Sequence, residues 1–291
     1  ADGAPSSDLA ESPAWLQDSA RLRGLIAKRR SVIGFDTAAE ISSESFFRVL
    51  RASLPNQEPL ATLFGAFARP LVPVMLVSVQ RVAGLHQGLY ALVRDVGRLA
   101  WLRSGACFQR AYLWQPVAGC PRDLPLFFLS AGDLCDVMKT ACLGQPIGGE
   151  SAAVALFFAE YLPAIRRHGA WLYKRMLWEA AAAGHALWLA AEAEGLRGGA
   201  VGAFYGPWTH EVLGVDANEL RDLYHFSFGV PTPTLPFGDD SRCLPPYGHL
   251  QQLRSSRLEE RDRVDTQEAR FATFAVLGQV GQRSGMAWDF A

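Results

Sequence analysis

The sequence predicts an α+β domain with a mixed or antiparallel sheet flanked by helices. Three observations predict it. Short apolar, strand-like runs are separated by helical stretches, so both kinds of element belong to one domain. The early runs are spaced closely enough for hairpins, which disfavours a doubly wound parallel sheet. With 291 residues, 49% apolar and 20% charged, the chain can bury a large core without an internal linker.

The elements follow in order. Residues 1–13 carry no periodic pattern and are expected to be flexible. Ala14 to Arg30 places Trp15, Leu16, Leu22, Leu25 and Ile26 at helical spacing and ends in the basic cluster Lys28-Arg29-Arg30. Ser42 or Ser43 can cap a short helix through Ala52, with Phe46, Phe47, Val49 and Leu50 on its buried side. Leu71 to Val79, Leu124 to Leu129 and Ala152 to Phe158 read as buried strands. Between the last two, Gly132 to Leu143 reads as a helix. Trp171 to Leu196 is the longest helical pattern, Ala-rich and closed by Gly195, Gly198 and Gly199. Gly198 to Phe204 and Leu223 to Gly229 complete the strand candidates. After Pro231 the composition turns Pro/Gly-rich, then charged, then apolar, as in an arm that packs on a partner or a frayed tail. The domain is therefore placed at residues 14–250, with an extension at 251–291.

Charge excludes some functions. Lys and Arg number 28 against 29 acidic residues, a net charge of −1 that gives no field for collecting nucleic acid or anionic lipid. The apolar stretches Pro70 to Val79 and Ala180 to Trp188 fall short of the roughly 20 residues of a membrane span. The N-terminal stretch lacks a basic region and an apolar core, so a cytoplasmic location is the expectation. The five cysteines, Cys107, Cys120, Cys135, Cys142 and Cys243, are scattered, with no CxxC spacing, and read as reduced packing thiols rather than metal ligands. Cys135 and Cys142 stand seven apart on one helical face, yet a reactive thiol needs a cationic neighbour and exposure.

Candidate chemistry starts at Arg29-Arg30-Ser31, a helix-to-loop junction. Two guanidinium groups and a hydroxyl there suit a phosphate. The stretch that follows, through Phe35-Asp36 and Ile41-Ser42 to Glu44, resembles the opening signature of the nitroreductase superfamily. Further blocks are similar, in order, to its SagB/McbC-like branch, which includes azoline dehydrogenases of peptide natural products. They are Arg81-Val82 to Gly88-Leu89-Tyr90, Cys142 to Gln145, Tyr173 to Leu196, Gly202-Ala203-Phe204, and Asp239 to Arg242 with Leu244 to Tyr247.

The resemblance implies a dimeric nitroreductase-like fold with FMN across the subunit interface. Arg29, Arg30 and Ser31 would hold the phosphate or ribityl chain, and Arg242 would add a second cation. Gln145, Gly202 and Ala203 would face the isoalloxazine. Hydride transfer from a peptide-derived or other biosynthetic intermediate would then be the cofactor's chemistry. The partner would be a like chain or a related one.

Departures from the branch fall near the chemistry. Arg167-His168 stands where azoline-oxidising members carry a Lys-Tyr pair. Arginine cannot act as a base at neutral pH, whereas His168 can. Ala181 and His185 replace the usual Gly and Gln of the long helix; His185 could donate to a flavin carbonyl or be a satisfied core histidine. Ile33 replaces a further basic residue, and the usual flavin loop is reduced to Phe64-Gly65-Ala66. Glu179 and Tyr205 are further proton-carrier candidates. The alternative reading is a catalytically silent subunit that lends scaffold or binding surface to a related chain.

Overall fold

A single seven-stranded sheet organises the computed structural model, which describes residues 18–64 and 69–232. Gly65, Ala66, Arg242, Cys243, the 1–13 segment and the 251–291 extension lie outside the described residues. The strands are β1 (Val74–Val79), β2 (Gly88–Val93), β3 (Gln115–Pro116), β4 (Leu126–Ala131), β5 (Ala153–Glu160), β6 (Arg197–Val201) and β7 (Leu220–Gly229). Their order across the sheet is β3-β4-β2-β1-β5-β7-β6, and every neighbouring pair is antiparallel. Among the described residues, parallel pairing survives only in isolated bridges, Ser31 to Gly198 and Ile41 to Val82.

The centre of the sheet explains why its strands read as continuous apolar runs. Both faces of β1 and β5 are covered, so side chains of both parities are buried. Met75, Val77, Ala155 and Phe157 point to one layer; Val74, Leu76, Val154, Leu156 and Phe158 point to the other. The first layer holds α2 (Ser43–Arg51) and the 22-residue α8 (Leu172–Ala193). The second holds α4 (Leu99–Arg103), α5 (Cys135–Ala141) and α9 (Gly206–Leu213). The remaining helices are α1 (Ser19–Lys28), α3 (Leu60–Phe64), α6 (Pro146–Glu150) and α7 (Leu162–His168).

Caps set the helix starts. Asp18 accepts from the Ala20 and Arg21 amides at the head of α1, and Ser42 Oγ accepts from Ser45 N at 3.1 Å at the head of α2. The β1–β2 hairpin brings Gly88 so close to β4 that a Cβ there would lie 2.2 Å from the Ser130 carbonyl oxygen. Strand β1 starts three residues later than the apolar run suggests. Pro73 has no N–H for the ladder, and the Leu71 and Val72 amides donate instead to the Glu179 carboxylate at 2.7 and 3.3 Å. Arg94 completes this knot, with Nη1 2.8 Å from Glu179 Oε1 and further bonds to the Ser53 and Val72 carbonyls, all buried. Glu179 is thus a structural anion that joins α8 to two strands, not a solvent-facing proton carrier.

Candidate functional site

The edge strand β6 carries the features expected of a ligand site, at both its ends. At its start, the chain leaves α1 through Arg29-Arg30-Ser31 and docks on the strand: Val32 N donates to Gly198 O at 3.0 Å. Gly199 permits this approach, since a Cβ there would sit 3.0 Å from Val32 Cγ1. The two arginines then diverge. Arg30 Nη1 turns back to the Ala27 and Arg29 carbonyls at 3.0 and 2.8 Å, which satisfies the end of α1. Arg29 lays its guanidinium 4.0 Å over the Trp188 ring on α8. No carboxylate pairs with Arg29 among the described residues, so its N–H edge remains available. Ser31 is exposed beside it.

Two more groups gather there. Trp188 Nε1 is buried with no hydrogen-bond partner among the described residues, a donor whose desolvation calls for an acceptor. His185, one turn before Trp188, is exposed rather than buried in the core. Partial burial and the Arg29 charge both lower its pKa, so the imidazole is neutral at pH 7. Tyr224 closes the floor against α8, where Gly184 leaves room that a Cβ would fill at 2.3 Å from the Tyr224 ring.

At the far end of β6, about 13 Å along an extended strand, lies Gly202-Ala203. Both residues are exposed, and nothing stands within 4 Å of the position a Cβ on Gly202 would take. Tyr205 N donates to Ala141 O at 2.8 Å, which ties this segment to the end of α5. Gln145 belongs to the same neighbourhood: its amide donates to Cys142 O at 3.2 Å in the α5–α6 turn. The turn is tightly made, with Leu143 at φ 56° and Gly144 at φ 77°. Helix α6 rests directly on α5, since a Cβ on Gly148 would lie 2.4 Å from Met138 O.

The structure therefore gathers Arg29, Ser31 and His185 at one end of β6 and Gln145, Gly202 and Ala203 at the other. It does not bring Arg167 and His168 to either. Both are exposed in the last turn of α7, lining a cavity of about 130 Å³ with Arg69, Asp95, Arg98 and Glu160. The 13 residues from the start of α8 to His185 span about 20 Å of helix. Arg242 lies outside the described residues.

Burial keeps three of the thiols protonated. It raises Cys107 to about 12 and Cys120 to about 11, and it raises Cys135 to about 11 with help from Asp133. The pattern-based reading missed a buried cluster in the layer opposite Trp188. There, His225 Nε2 is 2.7 Å from Asp222 Oδ2 and its Nδ1 is 3.9 Å from Cys142 Sγ. The Phe204 ring stacks on the His225 imidazole at 4.3 Å. Among the described residues, no helix is long and apolar enough to cross a membrane.

Fold and site together define an α+β domain whose edge strand offers a cation and open donors at one end and exposed backbone at the other. The chain belongs to the nitroreductase family, whose model matches residues 26–230. Among solved structures, it is similar to one from Anabaena variabilis described as a nitroreductase, with 19% identity and a TM-score of 0.57. That match covers 76% of this chain and 40% of the other, so this chain spans less than half of that protein. A nitroreductase structure from Desulfovibrio desulfuricans in complex with FMN is 16% identical over 79% of this chain and 94% of its own, with a TM-score of 0.41. The E. coli microcin synthetase McbBCD complex with truncated pro-MccB17 bound gives 14% identity, coverage of 79% and 77%, and a TM-score of 0.47. No curated protein matches the chain.

Proposed function

We propose that the chain is an FMN-dependent dehydrogenase or oxidase of the SagB/McbC-like branch, acting on a peptide-derived or other biosynthetic intermediate. One observation carries the reading. The Arg29 guanidinium, 4.0 Å over the Trp188 ring and without a carboxylate partner among the described residues, stands beside Ser31 and an orphaned indole N–H. An anionic group fits there better than any neutral one.

In this reading Arg29 and Ser31 hold the FMN phosphate and ribityl chain, with Arg242 as a second cation, while Arg30 closes the end of α1 beside them. Gln145 and the Gly202-Ala203 backbone border the ring. Bound FMN supplies hydride acceptance. The neutral imidazole of His185 can donate or accept one hydrogen bond at the cofactor and hold a proton there.

The functional unit is a dimer, with a like or related chain. Large apolar side chains stand in water at the head of α8 and along it, namely Trp171 (59% exposed), Leu177 and Trp178 (55%). Others rim the proposed cofactor site, namely Ile33, Leu143 and Tyr205. Burying them against a second chain would return their apolar area from water. Arg167 and His168 stand too far along α7 and α8 from His185 to share its site.

The test is the visible spectrum of the purified chain before and after FMN addition and desalting, with its mass in solution. Retained bands near roughly 370 and 450 nm in a dimer support the reading. A colourless protein that binds FMN only after a related chain is added assigns it the role of a partner subunit.

A further inference from the structure

We propose that the buried Asp222–His225 ion pair is a positioning unit for the cofactor face, its imidazole holding both the Phe204 ring after Gly202-Ala203 and the Cys142 turn that leads to Gln145. The inference rests on the proposed FMN site only for what the positioned segments do.

The geometry joins segments that are remote in sequence. His225 lies in β7, where it pairs with Val201 of β6 and Leu156 of β5. Its ring face takes Phe204 at 4.3 Å and an interplanar angle of 23°, immediately after the exposed Gly202-Ala203. Its Nδ1 edge meets Cys142 Sγ at 3.9 Å, at the head of a turn whose Leu143 sits in the left-handed region that a branched side chain resists. Its Nε2 edge donates to Asp222 at 2.7 Å. One ring thus braces two loops that otherwise meet through the Tyr205-to-Ala141 hydrogen bond.

The groups around it are complementary. Asp222 faces it from β7 and Cys142 from the end of α5, while β5 and β6 present only Leu156 and Val201. His210 of α9 touches Asp222 through backbone, accepting its N–H at Nε2 at 3.3 Å while Nδ1 donates to Val215 O. That pattern fixes His210 as a neutral tautomer, and its pKa is lowered by burial. Burial also works against charge on His225, yet Asp222 outweighs it and raises the imidazole to about 9. The ion pair is therefore intact at neutral pH. Asp222 Oδ1 is buried without a partner among the described residues, so the carboxylate leans on His225 alone among side chains.

Hydrogen–deuterium exchange of the full chain without added flavin, on wild type, His225→Gln and the milder Cys142→Ala and Phe204→Leu, tests the positioning directly. The expected result is exchange about tenfold faster in His225→Gln at both 202–205 and 142–145, with β1 and β5 unchanged. Cys142→Ala should loosen 142–145 and Phe204→Leu should loosen 202–205, each by less. The same proteins titrated with FMN should show about tenfold weaker binding and an altered flavin absorption envelope in His225→Gln. Unchanged exchange at both segments in all variants that fold overturns the proposal. Faster exchange in the variants, together with a wild type that takes up no FMN even with a related chain added, leaves the positioning intact and refutes the cofactor reading instead.

Discussion

His225 Nε2 lies 2.7 Å from Asp222 Oδ2, with both side chains 0% exposed, although three residues along one strand normally place side chains on opposite faces. A β-bulge makes the pairing possible. Phe157 pairs with Tyr224 and the next residue, Phe158, pairs with Asp222, so Leu223 is the extra residue and the parity of β7 flips between Asp222 and His225.

That pair predicts a pH dependence with a definite sign. His225 has its folded pKa raised to about 9, above the unfolded value near 6.5. Its stabilisation is fully present below about pH 6.5 and is lost as pH rises through about 9. Urea midpoints measured from pH 6 to 9.5 should fall for the wild type and stay flatter for His225→Gln. Buried thiols such as Cys120 and Cys135 add a loss above about pH 8.5 in both proteins, so the difference between the two curves is the quantity to read.

Glu179→Ala should cost about 3–5 kcal/mol in urea denaturation, because it strands the buried Arg94 guanidinium and two amides. Adding Arg94→Met should recover a large part of that loss, since the uncompensated charge is removed with its partner. A single variant close to wild-type stability would show that water reaches Arg94.

Gly88→Ala should destabilise by about 1–3 kcal/mol, since the methyl group meets a backbone oxygen rather than a movable side chain. Gly24→Ala is the control: it has open space and lies within α1, so it should be neutral or stabilising by up to about 1 kcal/mol. Equal effects at the two positions would contradict the β2–β4 approach.

Arg29 and Arg30 should separate in ligand titrations. Arg29→Ala removes a charged donor from the proposed phosphate site and should weaken FMN binding about tenfold to hundredfold, from about 1.5–3 kcal/mol per charged hydrogen bond. Arg30→Ala should act chiefly on helix stability, because its guanidinium already serves the Ala27 and Arg29 carbonyls. A reversed order, read by flavin fluorescence, would move the phosphate to the other arginine.

What the sequence could reveal depended on how local the cause was. Ser42 caps α2 through its own neighbour Ser45, and the all-round apolar runs of β1 and β5 mark strands covered on both faces, so both were legible. The β1 boundary was not, because Glu179, more than a hundred residues away, captures the Leu71 and Val72 amides. Short α7 and α9 were also missed: each begins with a proline in its first turn and is too brief to show a period.

The candidate site divides in the same way. Arg29-Arg30-Ser31 at a helix end is a local pattern, and the sequence alone determined that cations and a hydroxyl would cluster there. Only the tertiary structure decided that Arg29 lies on Trp188 while Arg30 closes its own helix, that His185 belongs with them, and that Arg167 and His168 stand about 20 Å of helix away. It alone joined Asp222, His225, Cys142 and Phe204, because that cluster needs a bulge in one strand and two remote segments folded onto it. Local propensity and capping act between residues a few positions apart and can be read along the chain. Desolvation, ion pairing and sheet parity act through space, and they take effect only once the sheet has closed over them.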